Sequence, residues 1–219
     1  MKLSARLSTI LTMIPAGVAC DVGSDHGKLI ISLKEQKIIS KGYAIENKKG
    51  PYTRLVSAID EAKMNEEIIP LLSDGISYLP NDVDIVIIAG MGGNLIVDIL
   101  KSHPENLKNV KHIVIDAHNA TDLVRREVIN LGYFIKNEKM VFEDDIYYEI
   151  IAFEKGNSKP LDDDDYRYGP FLRKEKSEIF INKYKQEIVK ITKLLDNENL
   201  PKARKEELLQ EKERMESIL

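Results

Sequence analysis

At 219 residues, with 43% hydrophobic and 31% charged residues, the chain suffices for one substantial domain plus a small appendage, and wholesale disorder is excluded. A formal net charge of -4 gives no global attraction to a polyanion, so nucleic-acid contact would have to come from a local basic patch. The single cysteine, Cys20, excludes an intramolecular disulfide and a cysteine metal cluster, and no segment reaches the roughly 20 apolar residues of a membrane span; the expectation is a cytoplasmic protein.

Leu3, Leu7, Ile10, Leu11 and Ile14 share one face of a helix over 3–14, stopped by Pro15 and Gly17. Val18 to Val22 is a short strand ended by Gly23. A helix over 27–36, a strand over 42–46 and a helix over 52–63 follow, the last with Pro51 at a suitable first position. Ile68 to Leu72 is a third strand. Val83 to Ala89 is a nearly continuous apolar run, as a strand buried on both faces requires. Next come a helix over 93–101, a strand from His112 to Asp116 and a helix over 121–131. Two strands over 133–142 and 146–154 are separated only by Glu143-Asp144-Asp145, which implies an antiparallel hairpin.

This order predicts an α/β fold: a Rossmann-like, mostly parallel seven-stranded sheet with an antiparallel edge. Glu154 to Pro170, with its aspartate run from Asp162 to Asp165, reads as a linker or loop. Beyond Phe171, Ile181, Tyr184, Ile188, Ile191 and Leu195 form a coiled-coil-like seam, Asn197 to Pro201 breaks it, and Leu208, Met215 and Leu219 mark a second helix over 202–219. The expected organisation is a sheet domain over 1–156 and a helical hairpin over 157–219.

In an open parallel sheet, ligands bind at the carboxyl ends of the strands. Four features fall there. Asp21-Val22-Gly23-Ser24-Asp25-His26-Gly27 allows close backbone approach and leads into a helix with free N–H groups. Glu46, followed by Asn47, ends the second strand, where a carboxylate can accept both hydroxyls of a ribose. Ser73-Asp74-Gly75 follows the third strand, where adenine would be read along its edge. Ala89-Gly90-Met91-Gly92-Gly93 follows the fourth, where substrate should meet cofactor. Singly, each reads as an ordinary turn or solvated strand end; at consecutive strand ends they point to nucleoside binding. A dinucleotide site is opposed by Asp25, which would lie near the phosphates, whereas S-adenosylmethionine is a sulfonium cation without phosphate.

Arg6-Leu7, Asp21 to His26, Gly50-Pro51, Asp74-Gly75 and Ile88 to Gly93 resemble the bacterial tRNA adenine-22 N1-methyltransferase family, and Tyr148-Glu149 and Gly169-Pro170-Phe171-Leu172 are similar too. The resemblance implies a class I methyltransferase domain, a C-terminal coiled-coil-like domain, S-adenosylmethionine as methyl donor and tRNA as substrate. Together, the strand-end features and the resemblance point to Asp21, Gly23, Ser24, Asp25, His26, Glu46, Asn47, Ser73, Asp74, Gly75, Ala89, Gly90 and Met91 as cofactor residues. Arg6, Gly92, Gly93, Asn94, His118 and Asn119 are assigned to the substrate. Family members usually carry Gln-Pro-Asn after the fifth strand; this chain has Asp116-Ala117-His118-Asn119.

N1 of adenine has an in-plane lone pair and attacks a methylsulfonium directly, so positioning and charge stabilisation are what the site must supply. Asp25 is the candidate catalytic residue; its alternative role is to bind the methionine part of the cofactor. Cys20 lies inside its strand and reads as a core thiol, not the nucleophile of pyrimidine C5 methylation. The absence of an Asn-Pro-Pro-Tyr-like motif disfavours exocyclic amino methylation, and no metal-ligand spacing is present. N1 is hidden in a paired base, so the nucleotide has to be unpaired or extruded. Residues 171–195 carry seven Lys or Arg against three Glu, and Lys2, Arg6, Lys48, Lys49 and Arg54 surround the expected cleft. These charges are either solvated surface or RNA contacts, and the resemblance favours RNA. The competing readings are a methyltransferase of a protein or small molecule and a non-catalytic RNA-binding protein. A monomer is expected.

Overall fold

A computed structural model of the chain describes residues 3–197 and 199–219. Seven strands, β1 (Gly17–Val22), β2 (Ile39–Glu46), β3 (Ile68–Leu72), β4 (Ile85–Met91), β5 (His112–Ala117), β6 (Tyr133–Glu143) and β7 (Ile146–Lys155), form one sheet in the order β3-β2-β1-β4-β5-β7-β6. The pairs from β3 through β5 are parallel, and β7 runs antiparallel to both β5 and β6. The reversed strand is therefore second from the edge, because the hairpin delivers β7 into the slot beside β5. Strand order reverses between β1 and β4, the switch point where a ligand crevice opens.

β4 shows why the apolar run folds as it does. Ile85 and Ile87 face Ile10, Leu11 and Ile30 on one side, while Val86 and Ile88 face Ile96, Leu100 and Val124 on the other. All four are fully buried, each contributing about 1.5–3 kcal/mol relative to exposure. The regular strand starts two residues after the apolar run does; at Asp84 the carboxylate accepts the Val18 N–H at 2.8 Å while the backbone N–H donates to the Val18 carbonyl. It extends past Gly90 to Met91 through a shift of register against β5.

Five helices cover the sheet: α1 (Ala5–Met13), α2 (Lys28–Glu35), α3 (Lys49–Glu61), α4 (Gly93–Ser102) and α5 (Thr121–Asn130). Ser4 caps α1 by accepting the Leu7 N–H. The Glu143 carboxylate at the end of β6 accepts the Ala5 N–H at 2.7 Å, placing an anion at the same helix start. α3 begins at Lys49, ahead of the expected start. Pro51 is its third residue, still in the turn whose N–H groups have no intrahelical partner.

The stretch expected as a linker contains a helix, α6 (Asp163–Tyr168). The aspartate run is its start: Asp162 accepts the Asp165 N–H while the Asp165 carboxylate accepts the Asp162 N–H, a reciprocal cap. Then come α7 (Pro170–Glu175), α8 (Glu178–Leu195) and α9 (Lys202–Ile218). The break between the last two spans Glu198, which lies outside the described residues. Tyr184 and Ile191 of the expected seam are buried with Leu208 and Met215, and Ile181, Ile188, Leu195 and Leu219 pack against them. Met140 and Tyr147 join this cluster, so the helices sit on the β6–β7 hairpin. No helix among the described residues is long and apolar enough to cross a membrane.

Candidate active site

Two clefts open side by side at the carboxyl edge of the sheet, sharing Gly23 and Asp25. The larger, about 400 Å³, is lined by the ends of β1, β2, β3 and β4 and collects Gly23, Asp25, Glu46, Asn47, Ser73, Asp74, Gly75 and Met91. The smaller, about 280 Å³, collects Arg6, Asp21, Gly23, Ser24, Asp25, His26, Ala89 and Gly90. Every expected cofactor residue therefore lines one cleft or the other.

The loop after β1 is held by three hydrogen bonds to the end of β2. Gly23 and Ser24 donate their N–H groups to the Ile45 carbonyl, and the Asp25 N–H donates to a Glu46 carboxylate oxygen. The second Glu46 oxygen makes no hydrogen bond among the described residues. Gly23 sits at φ +76°, where a side chain is strained, and a Cβ there would overlap the Met91 terminal methyl. The loop is thus a cradle that glycine keeps open between β1 and β4. Asn47 donates to Asp74 at 3.4 Å, joining the ends of β2 and β3 across the larger cleft.

Asp25 has φ +45° and a side chain 63% exposed, with Arg54 at 3.4 Å and His26 at 3.7 Å. Asp21 is buried beneath it and accepts the Ser24 hydroxyl at 2.5 Å. Burial pushes the Asp21 carboxyl up to about 6, the Ser24 hydroxyl opposing and nearby Glu46 adding to the rise. A carboxyl raised in the fold from 3.8 gives stability that is complete below pH 3.8 and is lost as the pH rises through about 6. The urea midpoint of the ligand-free chain is therefore expected to fall between pH 4 and pH 6.5, and Asp21→Asn to flatten that dependence; an Asp21→Asn profile parallel to the parent would refute the assignment.

Five expected substrate residues lie just outside the clefts. His118 and Asn119 are exposed, and the His118 N–H donates to the Met91 carbonyl. Asn119 uses its amide oxygen on the Gly93 N–H at 3.0 Å, tying the β4–α4 turn to the β5–α5 turn. A Cβ on Gly93 would lie 2.5 Å from the Asn119 carbonyl, so this glycine is required by close packing. Gly92 flanks the same turn and Asn94 is exposed beside it. The sixth, Arg6, reaches over the smaller cleft: its guanidinium lies 4.7 Å from the centre of the Tyr148 ring and 3.3 Å from the Asp116 carboxylate. Lys2, expected beside the cleft, lies outside the described residues.

Sequence reasoning did not find the apolar wall of the larger cleft, Ile45, Leu95 and Ile99. Leu95 and Ile99 are four apart on the first turns of α4, a spacing that could have placed them on one cleft-facing strip. Cys20 is fully buried and burial pushes its thiol up, in keeping with a core role. Among the described residues no three His, Cys, Asp or Glu side chains are grouped to hold a metal.

The chain matches the model of the TrmK family, tRNA (adenine(22)-N(1))-methyltransferase, over residues 19–218. It is similar to the Bacillus subtilis tRNA (adenine(22)-N(1))-methyltransferase, 30% identical over 195 residues that cover 86% of this chain and 82% of that one. A solved structure of a candidate tRNA (m1A22) methyltransferase from Streptococcus pneumoniae superposes with a TM-score of 0.93 at 31% identity. A second structure of that protein, in complex with S-adenosyl-L-methionine, gives 0.91 at 30%; each comparison covers 100% of both chains.

Proposed function

Because the chain belongs to the tRNA (adenine(22)-N(1))-methyltransferase family, we propose that its two clefts divide the reaction between them, nucleoside of the cofactor in the larger and reacting groups in the smaller. The enzyme transfers the methyl group of S-adenosylmethionine to N1 of adenine 22 in tRNA. The observation that carries the division is the buried Glu46 carboxylate, which ends β2 in the larger cleft with one oxygen committed to the loop and the other uncommitted. A ribose diol needs such an acceptor.

The bound cofactor supplies an electrophilic methyl on a sulfonium. Glu46 holds the ribose, Ser73, Asp74 and Gly75 read the adenine, and Leu95 and Ile99 cover it. Asp21, Ser24 and His26 surround the methionine part together with Ala89 and Gly90. The glycines of the β1 loop let the chain approach closely, and Met91 packs beside them. Asp25, at the junction of the clefts, is the catalytic residue of this scheme: its carboxylate faces the positive charge that travels with the methyl group. Arg6, Gly92, Gly93, Asn94, His118 and Asn119 border the entry of the target nucleotide, which has to be extruded for N1 to be reached.

The helices of residues 157–219 act as a separate unit that grips tRNA phosphates. Lys174, Lys185, Lys190 and Lys193 are exposed there, and Lys48, Lys49 and Arg54 are exposed or partly so at the cleft rim. The enzyme works as a cytoplasmic monomer without a metal. The test is methyl transfer from labelled S-adenosylmethionine to unmodified tRNA, with the product nucleoside mapped. One-methyladenosine at position 22 is expected, and Asp25→Ala is expected to lower kcat/KM on the order of a hundredfold. Normal turnover and cofactor affinity in Asp25→Ala would remove Asp25 from the scheme.

A further inference from the structure

Asp116 stands apart from the groups assigned above. It lies in β5 at the carboxyl edge, paired across the ladder with Ala89 of β4, whose carbonyl end borders the smaller cleft. Alternation along β5 puts it on the same face as Val114, and alternation along β1 puts Asp21 on that face with Ala19. Its side chain is 1% exposed, and neither carboxylate oxygen has a hydrogen-bond partner among the described residues. Among the described residues the cation that pairs with it is Arg6, 3.3 Å away but outside hydrogen-bonding geometry. The Gly90 N–H lies near the carboxylate without meeting hydrogen-bond geometry; burial raises the Asp116 pKa against Arg6, His118 and this N–H, which favour the charge. A buried carboxylate with both oxygens unsatisfied is costly and calls for a ligand.

We propose that Asp116 accepts the N6–H of the target adenine and stabilises the positive charge that methylation places on the base. The inference rests on the adenine-N1 reaction above. As the N1 lone pair forms the new N–C bond, the S–C pair stays on sulfur and the positive charge passes to the N1–C6–N6 amidine. The N6–H groups become stronger donors in that step, so a carboxylate facing them binds the transition state better than the ground state. Arg6 is the counter-ion that fills this position in the free enzyme, stacked on Tyr148; the methylated base takes its place. Guanine is rejected at the same point, because its O6 would set an acceptor against the carboxylate.

The bland alternative is that Asp116 only positions Arg6. Two measurements separate them, with thermal melting and cofactor binding of each variant as controls for folding. Asp116→Asn keeps an acceptor oxygen and removes the charge; kcat is expected to fall on the order of a hundredfold with KM for tRNA and cofactor affinity unchanged. On tRNA with purine riboside in place of the target adenosine, which keeps N1 and lacks the amine, parent and Asp116→Asn are expected to react alike. The same comparison in an Arg6→Met background should retain the Asp116→Asn loss. The proposal is overturned if that loss vanishes in the Arg6→Met background, or if purine riboside leaves it undiminished. A parent enzyme that forms no one-methyladenosine would instead defeat the assigned reaction.

Discussion

Arg125→Met is expected to lower the unfolding free energy by about 3–5 kcal/mol, the range for breaking a buried ion pair from one side. A thermal melt should drop by roughly 6–20 °C on the scaling for a chain of this size. Arg125 is fully buried in α5, and its fork spans two strands and a helix. Nε donates to Glu138 at 2.7 Å, one Nη to Glu149 at 2.6 Å, and the other to the Tyr166 carbonyl at 3.0 Å. The second Glu149 oxygen accepts from Lys183 of α8, and the second Glu138 oxygen from the Phe171 N–H of α7. One guanidinium thus organises the seat on which the C-terminal helices rest. Lysine cannot replace it, since a single ammonium nitrogen cannot span acceptors set around the whole guanidinium fork, so Arg125→Lys should not rescue.

The two acids respond differently, which gives the prediction a pH signature. Burial works against the Glu149 carboxylate, but Lys183 and Arg125 outweigh it and hold it down at about 2. Its contribution is present above the unfolded value of 4.5 and is lost as the pH falls toward 2. For Glu138, burial outweighs Arg125 and the Phe171 N–H, and the carboxyl is raised. Without Arg125, Glu138 favours the protonated form more strongly and Glu149 keeps only Lys183 against burial, so the deficit of the variant should grow as the pH rises from 4.5 toward neutrality. Urea midpoints at pH 5 and pH 7.5 test this. A deficit below about 1 kcal/mol at both, the size of an ordinary surface pair, would sink the argument.

Arg125 also marks where the sequence stops being legible. In the sequence it is an arginine on the apolar face of an amphipathic helix, with Val128 and Ile129 three and four residues on, and its partners lie 13 and 24 residues away on strands. Local spacing turns it inward and Arg126 outward, where Arg126 is half exposed and pairs with Asp163, but says nothing of which distant acids would meet a buried guanidinium. Asp116 is hidden in the same way: its isolation depends on Arg6, on another element, whereas its place at a strand end was readable. The strands themselves were legible because burial on both faces forces continuous apolar runs such as Ile85 to Ile88. The loops proposed for the cofactor were legible because strand ends converge in this fold, so that Asp21, Glu46, Asp74 and Gly90 fall together once the strands are placed. The aspartate run carried a readable signal that composition masked. Asp162 and Asp165 have the spacing of a reciprocal cap, with aspartates in place of the usual Ser/Thr and Glu.

Glu46→Ala is expected to weaken cofactor binding at least about a hundredfold, from the loss of charge-assisted hydrogen bonds worth about 1.5–3 kcal/mol each. Two losses combine. The ribose hydroxyls lose the acceptor that ends β2, and the Asp25 N–H, now bonded to a Glu46 oxygen, is left without a partner. Glu46→Gln separates them: its amide oxygen still accepts from Asp25 and preserves the loop, while the uncommitted acceptor becomes a donor. Its affinity should fall roughly tenfold or more, between parent and Glu46→Ala. Titration calorimetry with S-adenosylmethionine and S-adenosylhomocysteine measures both, and a ribose-deoxygenated cofactor should bind parent and Glu46→Gln nearly alike. Since the ribose is held equally before and during transfer, Glu46→Gln should raise the cofactor KM with kcat at saturation little changed, whereas Glu46→Ala also releases the loop that carries Asp25 and should lower kcat as well. Loss in Asp116→Asn is expected in kcat and loss in Glu46→Gln in KM; parent-like affinity in Glu46→Ala would move the nucleoside out of the larger cleft.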